Sequence, residues 1–435
     1  MIKENIPTRI TRRYSGVVDK IEADICVVGS GAAGLSAALE AARAGKEVVL
    51  VDAAPTLGGQ AVNSIIGTFC GLYSNGPDIV RLTYGIADEI IDSLISEGAA
   101  RYLSARNSII VQYDENKLSR WIDKTIRAAG ITVLLGSIVR EAPVLGRRIS
   151  GLEISTKFGD VHVDAGGFVD ASGDATVAWH AGLEVKEPEN PIFGTQIVLI
   201  EDFDEVAAEE IHRWEMEDRL AEKADEYGLA RKDGFVFAFP GHRTALANMT
   251  HIPTPLTPIG YANTVFFGRD QAEYLLNFLR TEFPEAYSKA RIRTYPAPGV
   301  RQSRWIKGKQ SLTADDVRGG RIFDDTVARC SWPIELHDDP SKTYWEELGN
   351  HHIHAVPLGA LLPVGIDNLV AAGRCIDGDT VSLSSVRVMG PCIAMGAAAA
   401  HTLILAGEGS THQIKADELK KKIIDNITRN DLFEG

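Results

Sequence analysis

The residues best equipped for chemistry are the glycines of Gly29-Ser30-Gly31-Ala32-Ala33-Gly34, which fit G-x-G-x-x-G, with Asp52 downstream. In such a turn the first glycine permits a tight bend and the second lets bare backbone approach a pyrophosphate. The third lets the following helix pack against the preceding strand. Asp52, followed by Ala53, ends the next apolar run, where a carboxylate can accept hydrogen bonds from ribose hydroxyls. A second group could move protons and hold anions. His351, His352 and His354 stand in Gly349-Asn-His-His-Ile-His-Ala-Val-Pro357, and imidazole titrates near neutrality. If that segment is extended, His352 and His354 project from one side and His351 from the other. Any one of them serves equally well as a satisfied structural residue. Arg301 and Arg304 in Gly299-Val-Arg-Gln-Ser-Arg304 could clamp a carboxylate, or could close structural salt bridges. Arg387, just before an Ala-rich helix, is the better candidate for a cation touching substrate. Cys70 could be a redox thiol or a tether, although a small packed residue is the simpler reading. No metal site is expected, because no carboxylate or cysteine joins the histidines at suitable spacing.

These residues need elements to position them. Ile25–Val28 is apolar and β-branched enough to be a buried strand, and Ala33–Ala44 is Ala-rich and ends at Gly45, so it reads as a helix. Val48–Val51 is a second strand. A Gly-punctuated loop runs from Gly59 and Gln60 to Tyr73, followed by a predicted helix from Asp78 to about Gly98. Next come a strand at Asn107–Tyr113, a helix at Glu115–Ala129 and a strand at Ile131–Leu135 that leads to Ser137–Arg140. A hairpin pairs Ile149–Ser155 with Asp160–Asp164. Gly167–Asp174 then reads as a separate buried strand ending in the turn Ser172-Gly173-Asp174. From Pro188 to about Pro357 the alternation of strand and helix lapses; helices are predicted across Glu201–Tyr227 and Gln271–Thr281, and a strand at Arg291–Tyr295. Leu369–Arg374 resumes the first pattern. A long closing helix runs from Met389 or Gly390 to Ala406, where Pro391 suits the first turn. Lys415–Asp431 reads as a charged surface helix.

The chain has 435 residues, of which 45% are hydrophobic and 24% charged, as in globular proteins with a large core. A net charge of −14 argues against a nucleic-acid partner, since phosphate needs a basic surface. On this reading no apolar run reaches the ~18–20 residues of a membrane helix, so no membrane partner is expected. Met1–Asp19 lacks an apolar core and does not read as a secretory signal. Five cysteines without close pairing suggest reduced thiols and a cytoplasmic location, and no dithiol motif is present.

The segments Asp24–Gly59, Gly67–Tyr73, Phe168–Asp174, Gly299–Arg304, Ala355–Arg374 and Ser385–Gly396 together resemble the FAD-dependent oxidoreductases of the glutathione reductase type. More narrowly, they resemble the group related to succinate dehydrogenase and tRNA-modifying flavoproteins. The Leu57-Gly58-Gly59-Gln60 turn is part of this likeness. It implies an α/β fold: a discontinuous Rossmann-like FAD-binding domain at 20–187 and 358–435, with an inserted α+β substrate domain at 188–357. It further implies FAD extended across the sheet edge, with Asp52 at the ribose and the backbone near Val139 at the adenine. Gly373 and Arg374 would lie by the pyrophosphate and ribityl chain. Many relatives have Gly-Asp where this chain has Gly373-Arg374, so Asp377 or Asp379 would have to supply the ribityl contact. Relatives also tend to carry Tyr where His354 stands.

A flavin takes hydride at N5 and needs its N1 side stabilised, for which the N-terminus of the closing helix, Met389-Gly390-Pro391, is the candidate. Hydride removal beside O–H or N–H also needs a base, and His352 or His354 is the expectation. The function expected is oxidation of a small, anionic hydroxy or amino compound. The alternatives are a monooxygenase using NAD(P)H and a flavoprotein subunit of an electron-transfer complex. A small-molecule substrate and, from enzyme size alone, a homo-oligomer complete the expectation.

Overall fold

The computed structural model of the protein describes residues 19–429. Strand β1 (Asp19–Val28), helix α1 (Ala32–Arg43) and strand β2 (Val48–Asp52) form the unit foreseen around the glycine turn, with β1 and β2 parallel. Only Ile25–Val28 of β1 are buried, so only the end nearest the turn reads as an apolar run. On one side β2 pairs in parallel with Thr132–Leu135; on the other, β1 pairs in parallel with Gly159–Asp170.

That last strand has 12 residues and unites what the sequence suggests are a hairpin arm and a separate strand. Its first part pairs antiparallel with Leu152–Thr156, and Phe168–Asp170 pairs in parallel with Leu369–Ala371. One strand therefore serves a half-exposed hairpin and a buried parallel sheet. Its pattern changes midway from alternating to continuously buried, which is what splits it in a reading by period. The mixed α/β sheet has seven strands, and the carboxyl ends of β1, β2 and Gly159–Asp170 come out at one edge. A ligand crevice belongs at that edge.

The closing helix, Met389–Ala406, lies against α1. A Cβ on its Gly396 would sit 2.1 Å from the Ala33 carbonyl oxygen, so the two backbones nearly touch. Small residues on both helices make this approach sterically feasible. The same composition makes the helix long and apolar enough to cross a membrane, which corrects the reading that no such run exists; 72% of it is buried inside the protein.

A second, antiparallel sheet has the order Phe235–Phe239, Thr244–Asn248, Val198–Glu201, Arg291–Thr294. Val198 and Ile200 pack with Leu220, Leu275 and Phe278 of the helices Arg213–Tyr227 and Pro258–Glu282. Leu199 and Leu246 pack instead with Ile65 of the loop after β2. The period of two thus gives this sheet one face for its own core and one for the loop after β2.

Several element boundaries differ from expectation for local reasons. The helix foreseen from Asp78 begins at Ile86, because Arg81 bridges back to Tyr73 and Gly85 receives the Asp88 carboxylate on its N–H at 2.8 Å. The acidic helix breaks into Glu205–Glu210 and Arg213–Tyr227 around an extended Ile211-His212. Pro258–Glu282 starts 13 residues before the expected Gln271, capped by Thr257 with Pro258 in its first turn, despite Gly260 and Gly268. The last helix is Ala416–Ile427. Met1–Val18, and with it the reading of no signal segment, lies outside the described residues, as do Asn430 and Asp431.

Candidate active site

A cavity of about 950 Å³ opens at the carboxyl edge of the parallel sheet and runs toward the second sheet. Its sheet end is built by Gly29, Gly31, Ala32 and Ala33, by Asp52 and Ala53, and by Val139. Gly29 and Gly34 are steric necessities: a Cβ would lie 2.2 Å from the Ala171 carbonyl oxygen at Gly29 and 1.8 Å from the Gly29 oxygen at Gly34. Gly34 does not itself line the cavity; it seats α1 against the turn. Gly31 is different, since its Cβ would meet nothing nearer than the Gly59 Cα at 4.0 Å. The space there lies beside the first turn of α1, which no side chain caps. Uncapped N–H groups and a bare Cα make a cradle for a pyrophosphate, so this chain fits the FAD its motifs imply.

Asp52 accepts hydrogen bonds from the Ser30 N–H at 2.6 Å, the Ser30 hydroxyl at 2.5 Å and the Ala54 N–H at 2.8 Å. The carboxylate is therefore fixed at the end of β2 by the turn it serves. Asp52→Ala should raise the FAD dissociation constant about tenfold or more, from the loss of charge-assisted bonds. Quenching of FAD fluorescence on titration with apoprotein measures it.

Gly59 and Gln60, Ser172, Gly173 and Asp174, and Gly373 and Arg374 also line the cavity. Gln60 is held to the loop 298–301 by its two amide contacts with Val300, at 2.9 and 3.1 Å. The Arg374 guanidinium lies over Gly173 and reaches the Ser303 hydroxyl at 3.2 Å and Asp174 at 3.3 Å. Asp377 and Asp379 do not stand in for the missing carboxylate. Asp377 is buried against Lys186 at 2.6 Å, the Gly308 N–H at 2.8 Å and Ser311 at 3.0 Å. Asp379 caps the helix Thr380–Val386. Both are spent on structure, and neither lines the cavity. The acid that the Arg374 side chain reaches is Asp174, which lines the cavity.

At the start of the closing helix Met389 lines the cavity but Gly390 does not. The Gly390 N–H is taken by the Cys70 carbonyl at 2.9 Å, and Pro391 has none. The helix dipole remains, while neither Gly390 nor Pro391 has a free N–H to offer.

The far end of the cavity holds Cys70, Arg231, Arg301, Trp332, Glu335 and Arg387. Arg301 is buried; its Nη1 donates to the Phe193 carbonyl at 2.8 Å. Burial first, then the charges of Arg231 and Arg387, push its guanidinium well below its ordinary value. Arg387 donates from Nη2 to the Glu335 carbonyl at 3.2 Å, its Nε is buried with no partner, and burial lowers it too. Arg231 is 5% exposed and pairs with Asp233, Asn248 and Thr343. Burial and then the charge of Glu335 push the Cys70 thiol up to about 12, so it stays protonated and is no nucleophile. Arg304 stacks on the Trp179 ring, 4.5 Å from its centroid.

The two histidines expected to act as base stand elsewhere. His354 is fully buried. The Ser385 hydroxyl donates to the Trp332 carbonyl at 2.6 Å, so it accepts from His354 Nε2 at 3.0 Å, which leaves His354 Nδ1 as a lone pair with no partner. Burial lowers this imidazole to about 3, so it is a neutral core group. His352 donates from Nε2 to the Val317 carbonyl at 2.8 Å. Neither lines the cavity, because β-pairing of His354–Pro357 with Thr326–Cys330 turns the segment into the protein. Sequence reading passed over Arg231, Trp332, Glu335 and a buried His251–His337 pair. The alternation in Glu335-Leu336-His337 put Glu335 and His337 on one side and was a usable signal.

The sequence matches the family of FAD dependent oxidoreductases over residues 24–423. A search among curated proteins finds no match. Among solved structures, a geranylgeranyl bacteriochlorophyll reductase-like protein from Thermoplasma acidophilum is similar at TM-score 0.52 and 14% identity, over 94% of this chain and 84% of that one. The p-nitrophenol 4-monooxygenase PnpA from Pseudomonas putida is another match, at TM-score 0.45 and 13% identity, over 94% of this chain and 84% of that one. At 14% identity the first of these likenesses is one of fold. With the glycine cradle, the fixed Asp52 and a match across nearly all the described residues, the chain belongs to the FAD dependent oxidoreductase family.

Proposed function

We propose that the protein oxidises a small, anionic hydroxy or amino compound at the far end of the cavity. The observation that carries this reading is the convergence of the buried Arg231 and Arg301 and the half-buried Arg387 on one wall. Three guanidinium groups held near one another away from water are costly unless an anion joins them. Asp233 and Glu335 in its ionised form offset two of the charges, which leaves one for a ligand carboxylate. Arg387 Nε has no partner and Arg301 spends only one of its donors on Phe193, so both have donors to give. Bound FAD supplies the acceptor for a hydride from the carbon bearing O–H or N–H. The arginines fix that carbon by holding the carboxylate beside it, and Trp332 walls the site.

The purified protein should be yellow, and small 2-hydroxy and 2-amino carboxylates should be screened for anaerobic bleaching of its flavin band. At least one carboxylate should bleach it, while the matching uncharged alcohols and amines should not. Reduction by NADPH alone, with oxygen consumed only when an aromatic is present, would replace this reading with a monooxygenase. A protein that no metabolite reduces, and that copurifies with a stoichiometric partner, would replace it with an electron-transfer subunit.

A further inference from the structure

Behind Glu335 lies a chain of buried groups whose protons can be counted. His251 Nδ1 is 3.0 Å from the Pro340 carbonyl, His251 Nε2 is 2.8 Å from His337 Nδ1, and His337 Nε2 is 3.0 Å from Glu335 Oε1. Both histidines are fully buried, and Glu335 lines the cavity. A carbonyl only accepts, so His251 Nδ1 carries hydrogen. A neutral His251 then offers a lone pair to His337, so His337 Nδ1 must carry hydrogen. A neutral His337 in turn offers its Nε2 lone pair to Glu335, and an ionised carboxylate has nothing to donate. Starting from Glu335 moves the mismatch to Pro340 and leaves it in place. Three contacts need three protons, and two neutral imidazoles supply two.

The neighbours leave the count unchanged. Glu335 Oε2 already accepts from the Trp332 Nε1–H at 2.9 Å. The Thr343 hydroxyl lies 3.4 Å from His337 Nδ1 and also within reach of Asp233, but the 2.8 Å contact between the rings still requires its own proton. We propose that Glu335, His337 and His251 form one acid–base unit that carries a third proton and exchanges it with the cavity through the Glu335 carboxyl.

The charges facing the unit are Arg231, Arg301 and Arg387, with Asp233 beside Arg301 and the protonated Cys70 thiol beside Glu335. Burial, followed by the cations, lowers both imidazoles, His251 to about 2, so the third proton does not reside on a ring as imidazolium. It resides on the carboxyl. Its catalytic use rests on the oxidation proposed above. In that oxidation bound FAD would accept the hydride from carbon; the substrate O–H or N–H bond would break, its electron pair would become the new C=O or C=N bond, and its proton would go to Glu335. There it completes the hydrogen bond to His337. The two-proton form is the base, so oxidation should rise with pH as that form appears.

Nitrogen-15 NMR of the histidine-labelled, FAD-loaded protein without substrate tests the unit directly. The ring nitrogens of His251 and His337 should respond together to one titration. In Glu335→Gln the amide donates permanently to His337, and this titration should vanish. In His251→Phe, His337 is free to accept from Thr343 and donate to Glu335, so the third proton is no longer required. The pH at which it is lost should then fall by about one unit or more. Rings that titrate separately or not at all in the wild type, or a titration that survives Glu335→Gln unchanged, would overturn the proposal. With a carboxylate that bleaches the flavin, Glu335→Gln should slow reduction ~10²–10⁴-fold at unchanged FAD content. Equal rates and equal pH profiles would remove its catalytic role. A shared titration in a protein that no carboxylate reduces would leave the unit standing and end the oxidation reading instead.

Discussion

Gly34→Ala should emerge from purification colourless, holding less than about a tenth of the wild-type FAD. The added methyl would stand 1.8 Å from the Gly29 carbonyl oxygen. That atom is backbone, and Gly29 is itself wedged where a Cβ would lie 2.2 Å from the Ala171 oxygen, so neither neighbour can retreat. The helix would have to back away from the strand and carry the cradle with it. Overpacking against movable side chains costs ~1–3 kcal/mol, and a backbone wall puts this case at the upper end of that range. Gly31→Ala is the control. With no atom within 4.0 Å except the Gly59 Cα at that limit, it should fold like the wild type and lose FAD affinity only. Flavin absorbance per protein and the urea midpoint separate the two effects. A yellow Gly34→Ala protein of unchanged stability would mean that α1 is not held as described.

Arg301→Met should raise KM for a carboxylate substrate by about 100-fold, since truncating one partner of a buried charge pair costs ~2–5 kcal/mol. Stability should barely move. Methionine relieves a guanidinium that burial and two like charges already disfavour, which offsets the hydrogen bond to Phe193. Arg301→Lys should recover only part of the affinity, since an ammonium cannot reproduce the planar fork. The FAD content of all three proteins should be equal. Steady-state kinetics with a thermal melt decide it: an unchanged KM would take Arg301 out of substrate binding, and a large drop in stability would make it a structural residue.

The cofactor end was legible because everything it needs lies close together in the chain. Gly29, Gly31, Gly34 and Asp52 fall on one strand-turn-helix-strand unit, so the period of the apolar residues and the spacing of the glycines place them without any knowledge of the rest. Longer elements were harder. The strand Gly159–Asp170 changes partners along its length, and Pro258–Glu282 carries two glycines that its packing tolerates. The closing helix was found, but not that an apolar surface of that length would be covered by α1 and its neighbours.

By itself the sequence determined an α/β nucleotide fold and a glycine turn suited to a pyrophosphate, since local spacing and backbone sterics dictate them, while the FAD family rested on the resemblance of several segments to known flavoproteins. Tertiary structure alone decided which polar groups share a cavity. His354, next to a return to the first sheet, was turned inward by β-pairing onto Ser385, while Arg231, Arg301, Glu335 and Arg387, separated by up to 156 positions in the chain, were gathered at one wall. The reason is physical: pairing and burial fix where a side chain points, and the charges that meet there then set one another's protonation, which no spacing along the chain records.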